Sequence, residues 1–436
     1  MGILQKVIEI CRRIEGQGKV NYFIQNDKID HVEFEFSALR GFEDILIGKK
    51  LLDIPRIVSR ICGLCHASQT IASCKAIEAI YGINPSFQST VIRKILMTAE
   101  LIKSHIIHFF FQCFPDLLEI FEIRNKGIDT SNLINFDPQL TSSIYDLIKV
   151  GTEINNIFGG RIIHLISITP GGISYNPSKK DIIIVKRYLQ KAYANIDYIL
   201  HKFVDLFSEK QPPEDFDLPV LNMLGTLNNS HYDRYSGSLH IMQSDGNEIE
   251  FDVSNYENYF IKDINLFGIK FLINDQKPIL TGPIARYNLS RNNSNSMYNS
   301  LLKFFDMKWK KNILFVHFLQ LLEIYYEIKS TIDMLEHHNL ESKEVLPILN
   351  KIVNRSGIGS VEAPRGTLVH HYHLNQSNLI DNVKLYIPTE INFPLLNETI
   401  KKYAQKLYQK EDIPSLNRKV QVMIRAFDPC IACATH

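Results

Sequence analysis

No charge of one sign dominates this chain. Its 436 residues carry 48 Lys and Arg against 47 Asp and Glu, a formal net charge of +1, so net charge gives no argument for nucleic acid or an anionic membrane as partner. No uncharged apolar run reaches the roughly 18 residues of a membrane-spanning helix. The stretch from Ile106 to Phe114 is apolar but short, and it contains His108 and Gln112. Met1 to Arg13 lacks a basic region followed by an apolar segment and a small-residue cleavage site, so no secretory signal is expected. Cysteine is scarce, seven in all, which excludes a disulfide scaffold. Internal repeats, Pro-rich linkers and low-complexity tracts are absent. The remaining composition, 45% hydrophobic and 22% charged, is ordinary for a globular protein and excludes collagen, coiled coil and wholesale disorder.

The hydrophobic pattern changes period along the chain. Residues 19–36 alternate like two strands around a turn at Asn26-Asp27. Helical spacing follows over 53–82, 86–114 and 180–208, and over 296–338 as one long helix or two that meet near Lys310. Residues 218–280 read as loops and short strands, and 366–395 alternate like strands. The expected fold is mainly α, of the α+β class: a helical core bundle with small peripheral β-sheets. No linker divides it, so residues 1–436 are expected to form a single domain.

The cysteines matter by placement. Cys62-Gly63-Leu64-Cys65 lies near the start and Cys430-Ile431-Ala432-Cys433 at the end. Each CxxC pair presents two thiolates within a few ångströms, which suits a soft metal. One pair is a modest signal; two suggest a four-thiolate site. A structural zinc site normally has its halves about 15–20 residues apart, whereas 364 residues lie between Cys65 and Cys430. Closing a loop that long costs about 5 kcal/mol of chain entropy. A catalytic or redox metal is therefore favoured over structural zinc. Cys11, Cys74 and Cys113 stand singly in apolar, helix-like surroundings and read as small core hydrophobes.

Around the cysteines the sequence resembles the large subunit of nickel-iron hydrogenases. The resemblance runs through Arg13-Ile14-Glu15-Gly16, Arg40-Gly41-Phe42-Glu43, Arg60-Ile61-Cys62-Gly63-Leu64-Cys65, the Gly159–Gly172 segment, Gly282-Pro283-Ile284-Ala285-Arg286, Glu362-Ala363-Pro364-Arg365-Gly366 and Asp428-Pro429-Cys430 through His436. Each block is weak alone; all of them in family order are specific. The resemblance implies reversible cleavage of H2 to protons and electrons at a buried site where the two chain ends meet. Cys62, Cys65, Cys430 and Cys433 would hold nickel, with Cys65 and Cys433 bridging to an iron that carries cyanide and CO. Heterolysis of H2 leaves a proton, which Cys430 would accept and Glu15 would relay outward. Arg365 and Pro364 would shape the pocket over the metals and Thr389 would donate to a cyanide, though it could equally be an ordinary strand threonine. A magnesium or similar hard cation is implied near the C-terminus, with Glu43, His436 and the Leu385 carbonyl as ligands. Iron-sulfur clusters would belong to an obligate small subunit, since no spare set of four cysteines remains here. Hydrogenase maturation factors are implied, and a further redox or signalling partner is open.

Three positions depart from common family members. Gln69 stands where many relatives have histidine, as in the H2-sensing regulatory subgroup, and it cannot titrate near pH 7. Gln17 replaces another common histidine, and Ser104 occupies a position that is acidic in uptake enzymes. The sequence stops at His436, so the expectation is either a processed chain or a gene without the cleaved extension. The competing readings are an H2 sensor, the related quinone-binding subunit of NADH dehydrogenase, which lacks the four cysteines, and a structural-zinc interaction protein. Cytoplasmic residence is expected, with export through the small subunit left open.

Overall fold

The computed structural model describes residues 5–36, 41–123, 130–229, 231–263, 268–271, 277–290, 300–337, 340, 345–408 and 411–435. Four long helices, Phe87–Ile107, Pro138–Gly159, Lys179–Phe207 and Val316–His337, form a ring in which each packs against two others. Their ends are set locally. Ser86 accepts from the Ser89 N–H, Asp137 accepts from Leu140 with Pro138 in the first turn, and Ser178 and Asp181 form a capping box. Such caps contribute about 1 kcal/mol each. Phe203, Phe305, Phe318 and Trp309 pack together where Lys179–Phe207 ends and Val316–His337 begins, and the Trp309 indole donates to the Lys210 carbonyl at 2.7 Å.

The first helix of the ring runs on through a π-helical turn, His108–Cys113, into Phe114–Ile120. The periodic segment 53–82 is broken at the cysteine pair into Ile54–Val58 and His66–Tyr81. Among its described residues the segment 296–338 is helical at 300–302 and in Met307–Lys311 and Val316–His337, the last two joined by a 3-10 turn; residues 296–299 and 338 lie outside the described residues.

The sheets are peripheral and mostly antiparallel. Gln5–Cys11, Gly18–Gln25 and Lys28–Phe36 form a meander. Its second hairpin turns at Asn26 and Asp27, both with positive φ (52° and 55°), the signature of a type I′ turn. Asn222–Asn228, Ser238–Met242 and Glu248–Phe251 form a second sheet, which Ile279–Thr281 joins in parallel. Ser356–Ala363, Gly366–Leu374 and Ile380–Tyr386 form a third. This third sheet lies tightly on helix His66–Tyr81: a Cβ on Gly359 would fall 2.2 Å from the Ala72 carbonyl oxygen. Glycine there allows backbone-to-backbone approach.

The strand reading of 366–395 holds only to Tyr386. Pro388–Leu407 is a helix, with Pro388 in its first turn and the Glu390 carboxylate accepting from the Ile387 N–H. Proline favours a first helical turn because its missing N–H would be unpaired there anyway. Thr389 therefore begins a helix and is not a strand residue.

Candidate metal centre

Cys62 lies in the turn before helix His66–Tyr81, and Cys65 is that helix's N-cap residue. Cys430 caps the short helix Ile431–Ala434, which carries Cys433. The four sulfurs all lie within 4.8 Å of one another. Cys65 and Cys433 are 2.9 Å apart, Cys430 and Cys433 2.9 Å, and Cys430 and Cys62 3.4 Å. All four thiols are free and buried. They share protons unevenly: hydrogen bonds from Cys430, Cys433 and Cys65 hold the Cys62 thiol well below its ordinary range. Burial pushes Cys430 and Cys433 well above theirs.

The chain ends meet through backbone. The Ile431 N–H donates to the Glu15 carbonyl at 3.0 Å. Next to it, Gly16 has φ +89°, and a Cβ there would fall 2.6 Å from the Ile431 Cβ. A side chain at this position would part the two segments. The Glu15 carboxylate accepts from the Ala432 N–H at 3.1 Å, within the segment that carries Cys430 and Cys433. It is half-buried, and burial followed by the charge of Cys62 raises its pKa. Gln17, two residues on, is exposed.

Arg365 and Pro364 form the two-residue turn between Ala363 and Gly366. Arg365 is buried; its Nε donates to the Asp428 backbone oxygen at 2.9 Å and to Asp428 Oδ1 at 3.0 Å, and its Nη1 donates to Ser104 Oγ at 3.2 Å. Asp428 thus supplies the counter-charge, and Ser104 remains a neutral acceptor. The turn itself is held by Arg286, which donates to the carbonyls of Ala363 and Pro364 and to the carboxylates of Glu362 and Glu323. Thr389 Oγ1 accepts from the Cys430 N–H at 3.0 Å. Gln69 is buried one turn beyond Cys65 and meets His370 Nε2 at 2.7 Å. From His370 the contacts run to Tyr372 and Ser73.

Cys65, Cys430, Cys433, Gln69, Arg365 and Thr389 line one small cavity. Their chemistry fits a soft metal with anionic ligands. Four thiolates suit nickel. Arg365 Nη2 is buried and has no acceptor in hydrogen-bonding geometry among the described residues, although it lies 2.8 Å from Asp428 Oδ1. The Thr389 hydroxyl accepts from backbone and still has its own proton to donate. A wider cleft of about 830 Å³ opens beside Arg12, Arg13, Asp116 and Arg425, away from the four cysteines.

Two of the three residues expected to bind a hard cation, Glu43 and Leu385, are close together. Glu43 Oε1 accepts from the Leu385 N–H at 2.8 Å, so Glu43 and Leu385 are neighbours. His436 lies outside the described residues, as does Arg40. Between Glu43 and Leu385 stands a group that sequence reading missed: Lys262 Nζ donates to Glu43 Oε1 and to the Leu385 carbonyl oxygen, both at 2.9 Å. Asp428, Arg286 and Glu362 were legible within quoted motifs without an assigned role; a buried arginine needs a counter-charge, and Asp428 was the nearest motif acid to the second pair. Lys262 gave no signal, since it falls in the segment read as loops and short strands, where no single lysine stands out. Several other histidines have local partners: His105 Nε2 pairs with Glu323, His164 with the Ser59 carbonyl, His108 with Gln320 and the Arg425 carbonyl, and His371 with Tyr256 and Ser356.

A buried four-thiolate centre, built on a helix bundle and joining segments near both ends of the chain, is the donor set of a metal-binding protein. The family model described as nickel-dependent hydrogenase matches residues 40–215 and 311–436. This chain belongs to that family, and it is an oxidoreductase acting on H2. It is 29% identical over 456 residues to one chain of the vhc F420-non-reducing hydrogenase of Methanococcus voltae, covering 98% of this chain and 94% of that one. To NAD-reducing hydrogenase HoxS subunit beta of Cupriavidus necator it is 27% identical over 459 residues, covering 99% and 94%. A crystal structure of an NAD+-reducing NiFe-hydrogenase superimposes with a TM-score of 0.91 at 24% identity over the whole of both chains. The fold is that of the nickel-iron hydrogenase large subunit.

Proposed function

We propose that Cys62, Cys65, Cys430 and Cys433 hold a nickel-iron centre with CO and cyanide on iron, and that Glu15 carries protons away from it. When bound, such a centre supplies heterolytic cleavage of H2 and takes up the two electrons. The protein's part is proton handling and ligand orientation. The observation that carries this reading is the placement of the Glu15 carboxylate, which accepts from the Ala432 N–H at 3.1 Å, midway between Cys430 and Cys433 in the chain. A proton released at the centre is held on Cys430 sulfur and passes to the carboxylate beside it. Glu15 is half-buried and next to exposed Gly16 and Gln17, so it links the closed pocket to solvent. Arg365, fixed by Asp428, presents its Nη2 as a donor to anionic iron ligands, with Pro364 walling the same side and Thr389 as a second donor.

Electrons need a separate carrier. Beyond the four cysteines, the chain has only Cys11, Cys74 and Cys113, each single and buried. An iron-sulfur small subunit is the partner this implies, and the exposed Ile8, Ile10, Ile162 and Ile166 offer it apolar surface. Hydrogenase maturation factors would install the centre. No helix among the described residues is long and apolar enough to cross a membrane. Seven free thiols fit a reducing, cytoplasmic compartment. Gln69 in the cavity lining favours a second reading within the family, an H2 sensor that signals to a partner.

Glu15→Gln and Glu15→Asp test the relay in the assembled complex. The glutamine variant is expected to lose about a hundredfold or more in H2 oxidation while keeping nickel content and infrared bands. The aspartate variant retains part of the rate. Full activity in Glu15→Gln contradicts the relay.

A further inference from the structure

Lys262 lies on the strand Phe260–Asp263, which pairs antiparallel with Gly268–Phe271. Phe260 is buried in a small core with Leu239, Ile241, Phe251 and Tyr256. Side chains two apart on a strand share a face, so the packing of Phe260 aims Lys262 the same way. Its side chain is 13% exposed, and the ammonium ends against three oxygens. Glu43 Oε1 and the Leu385 carbonyl oxygen are each at 2.9 Å, and Glu390 Oε1 is at 3.6 Å. Glu390 is 1% exposed. Two carboxylates and a carbonyl around one positive centre are the ligand set of a hard cation, yet the positive centre here is covalently part of the chain. A divalent ion bound to the same two oxygens would stand within a few ångströms of a largely buried ammonium, and like charges so placed repel strongly.

We propose that the Lys262 ammonium takes the place of the hard metal ion expected between Glu43 and Leu385, so that this chain closes its C-terminal site without magnesium. A lysine has three donors and no acceptor; here it bonds one carboxylate and one carbonyl and stands at ion-pair distance from a second carboxylate. It is also always present, whereas a metal ion must be captured after synthesis. Glu43 is then the anchor of the strand Ile380–Tyr386 through the Leu385 N–H. That strand ends two residues before helix Pro388–Leu407, whose Thr389 bonds the Cys430 N–H. The ammonium therefore stabilises the wall of the metal pocket from behind.

The test uses the complete complex of this chain with its small subunit. After exhaustive treatment with a chelator, nickel, iron, magnesium, manganese and calcium are counted per chain. The expected result is that magnesium, manganese and calcium fall to background and that the rate of thermal inactivation is the same with or without millimolar Mg2+. A stoichiometric hard cation that survives the chelator overturns the proposal. Lys262→Met removes the charge and keeps the bulk. It is expected to inactivate about ten- to a hundredfold faster, the loss of charge-assisted hydrogen bonds, and to be slowed again by Mg2+. Lys262→Arg is expected to stay near the native rate. A Lys262→Met protein that is as durable as the native one and indifferent to Mg2+ also overturns the proposal. Should Lys262→Met fail to accumulate, the native metal count and Mg2+ response decide alone. The proposal rests on the hydrogenase reading only for its location: absence of nickel would sink the proposed centre and leave the hard-cation count unaffected.

Discussion

Replacing Arg286 tests whether the pocket is held from outside. This residue touches none of the four cysteines, but its guanidinium makes five hydrogen bonds, three to the hairpin that carries Pro364 and Arg365 and two to Glu323 on helix Val316–His337. It reaches Glu323 Oε1 and Oε2 at 2.7 Å each, Glu362 Oε2 at 3.0 Å, and the carbonyls of Ala363 and Pro364 at 3.1 and 2.9 Å. Arg286→Met removes the counter-charge of two buried carboxylates, which keep their bonds to His105, Thr226 and Thr367, and takes a donor from two carbonyls. Breaking a buried pair in this way costs about 3–5 kcal/mol. If that loss falls on the hairpin, its amides open roughly a hundred to several thousand times more often. Hydrogen exchange over Ser356–Leu374 in the assembled complex reads this directly. H2 oxidation should fall as well, since a displacement of about 1 Å at Arg365 can cost about a hundredfold. Arg286→Lys keeps the charge but offers three donors in place of five, so it should show an intermediate rise in exchange. The loss in Arg286→Met should shrink as pH falls, because burial already raises the Glu362 carboxyl and it can take up a proton. Exchange in Arg286→Met that matches the native protein across the hairpin would refute the positioning argument.

Other substitutions probe the remaining contacts. Gly16→Ala places a Cβ 2.6 Å from Ile431 in a backbone of positive φ; nickel content should drop while the bundle's circular dichroism is retained. Gln69→His sets an imidazole against His370, now 2.7 Å from the Gln69 oxygen, and introduces a titrating group; H2 turnover should become pH-dependent between about pH 5 and 8, and a flat profile would argue against a link from Gln69 to the centre. Acid stability follows Glu323: burial alone would raise its carboxyl, but the charge of Arg286 and the bond from His105 outweigh burial and hold it down to about 2. A folded value below the unfolded 4.5 gives stability that is present above 4.5 and lost as pH falls toward 2. The loss is about 3 kcal/mol, and acid unfolding of Glu323→Gln should lack this component.

The local rules were legible where one signal decides the structure. Asn26-Asp27 specifies a two-residue turn with positive φ at both positions, and the alternation on either side supplies the strands. The long helices are visible because their apolar period is sustained over many turns and their caps are simple. The strand reading ran past its end at Tyr386, because an apolar pattern was allowed to outweigh Pro388 in a first turn and Glu390 two residues later. The cysteine spacing of each pair was plain in the sequence, but not the backbone bond from Ile431 to Glu15 that brings the ends together. The supporting contacts were hidden. Arg286 and Glu362 lie 76 residues apart, and nothing in the local sequence says that they meet. Lys262 is an ordinary strand lysine until a glutamate from residue 43 and a carbonyl from residue 385 close around it.

Metal content and the infrared spectrum of the matured complex test the central claim most directly. The chain should carry nickel and iron in equal amounts, with one carbonyl and two cyanide bands, and Cys430→Ser should abolish all of them. Zinc in place of nickel, with no bands after verified maturation, would contradict the account.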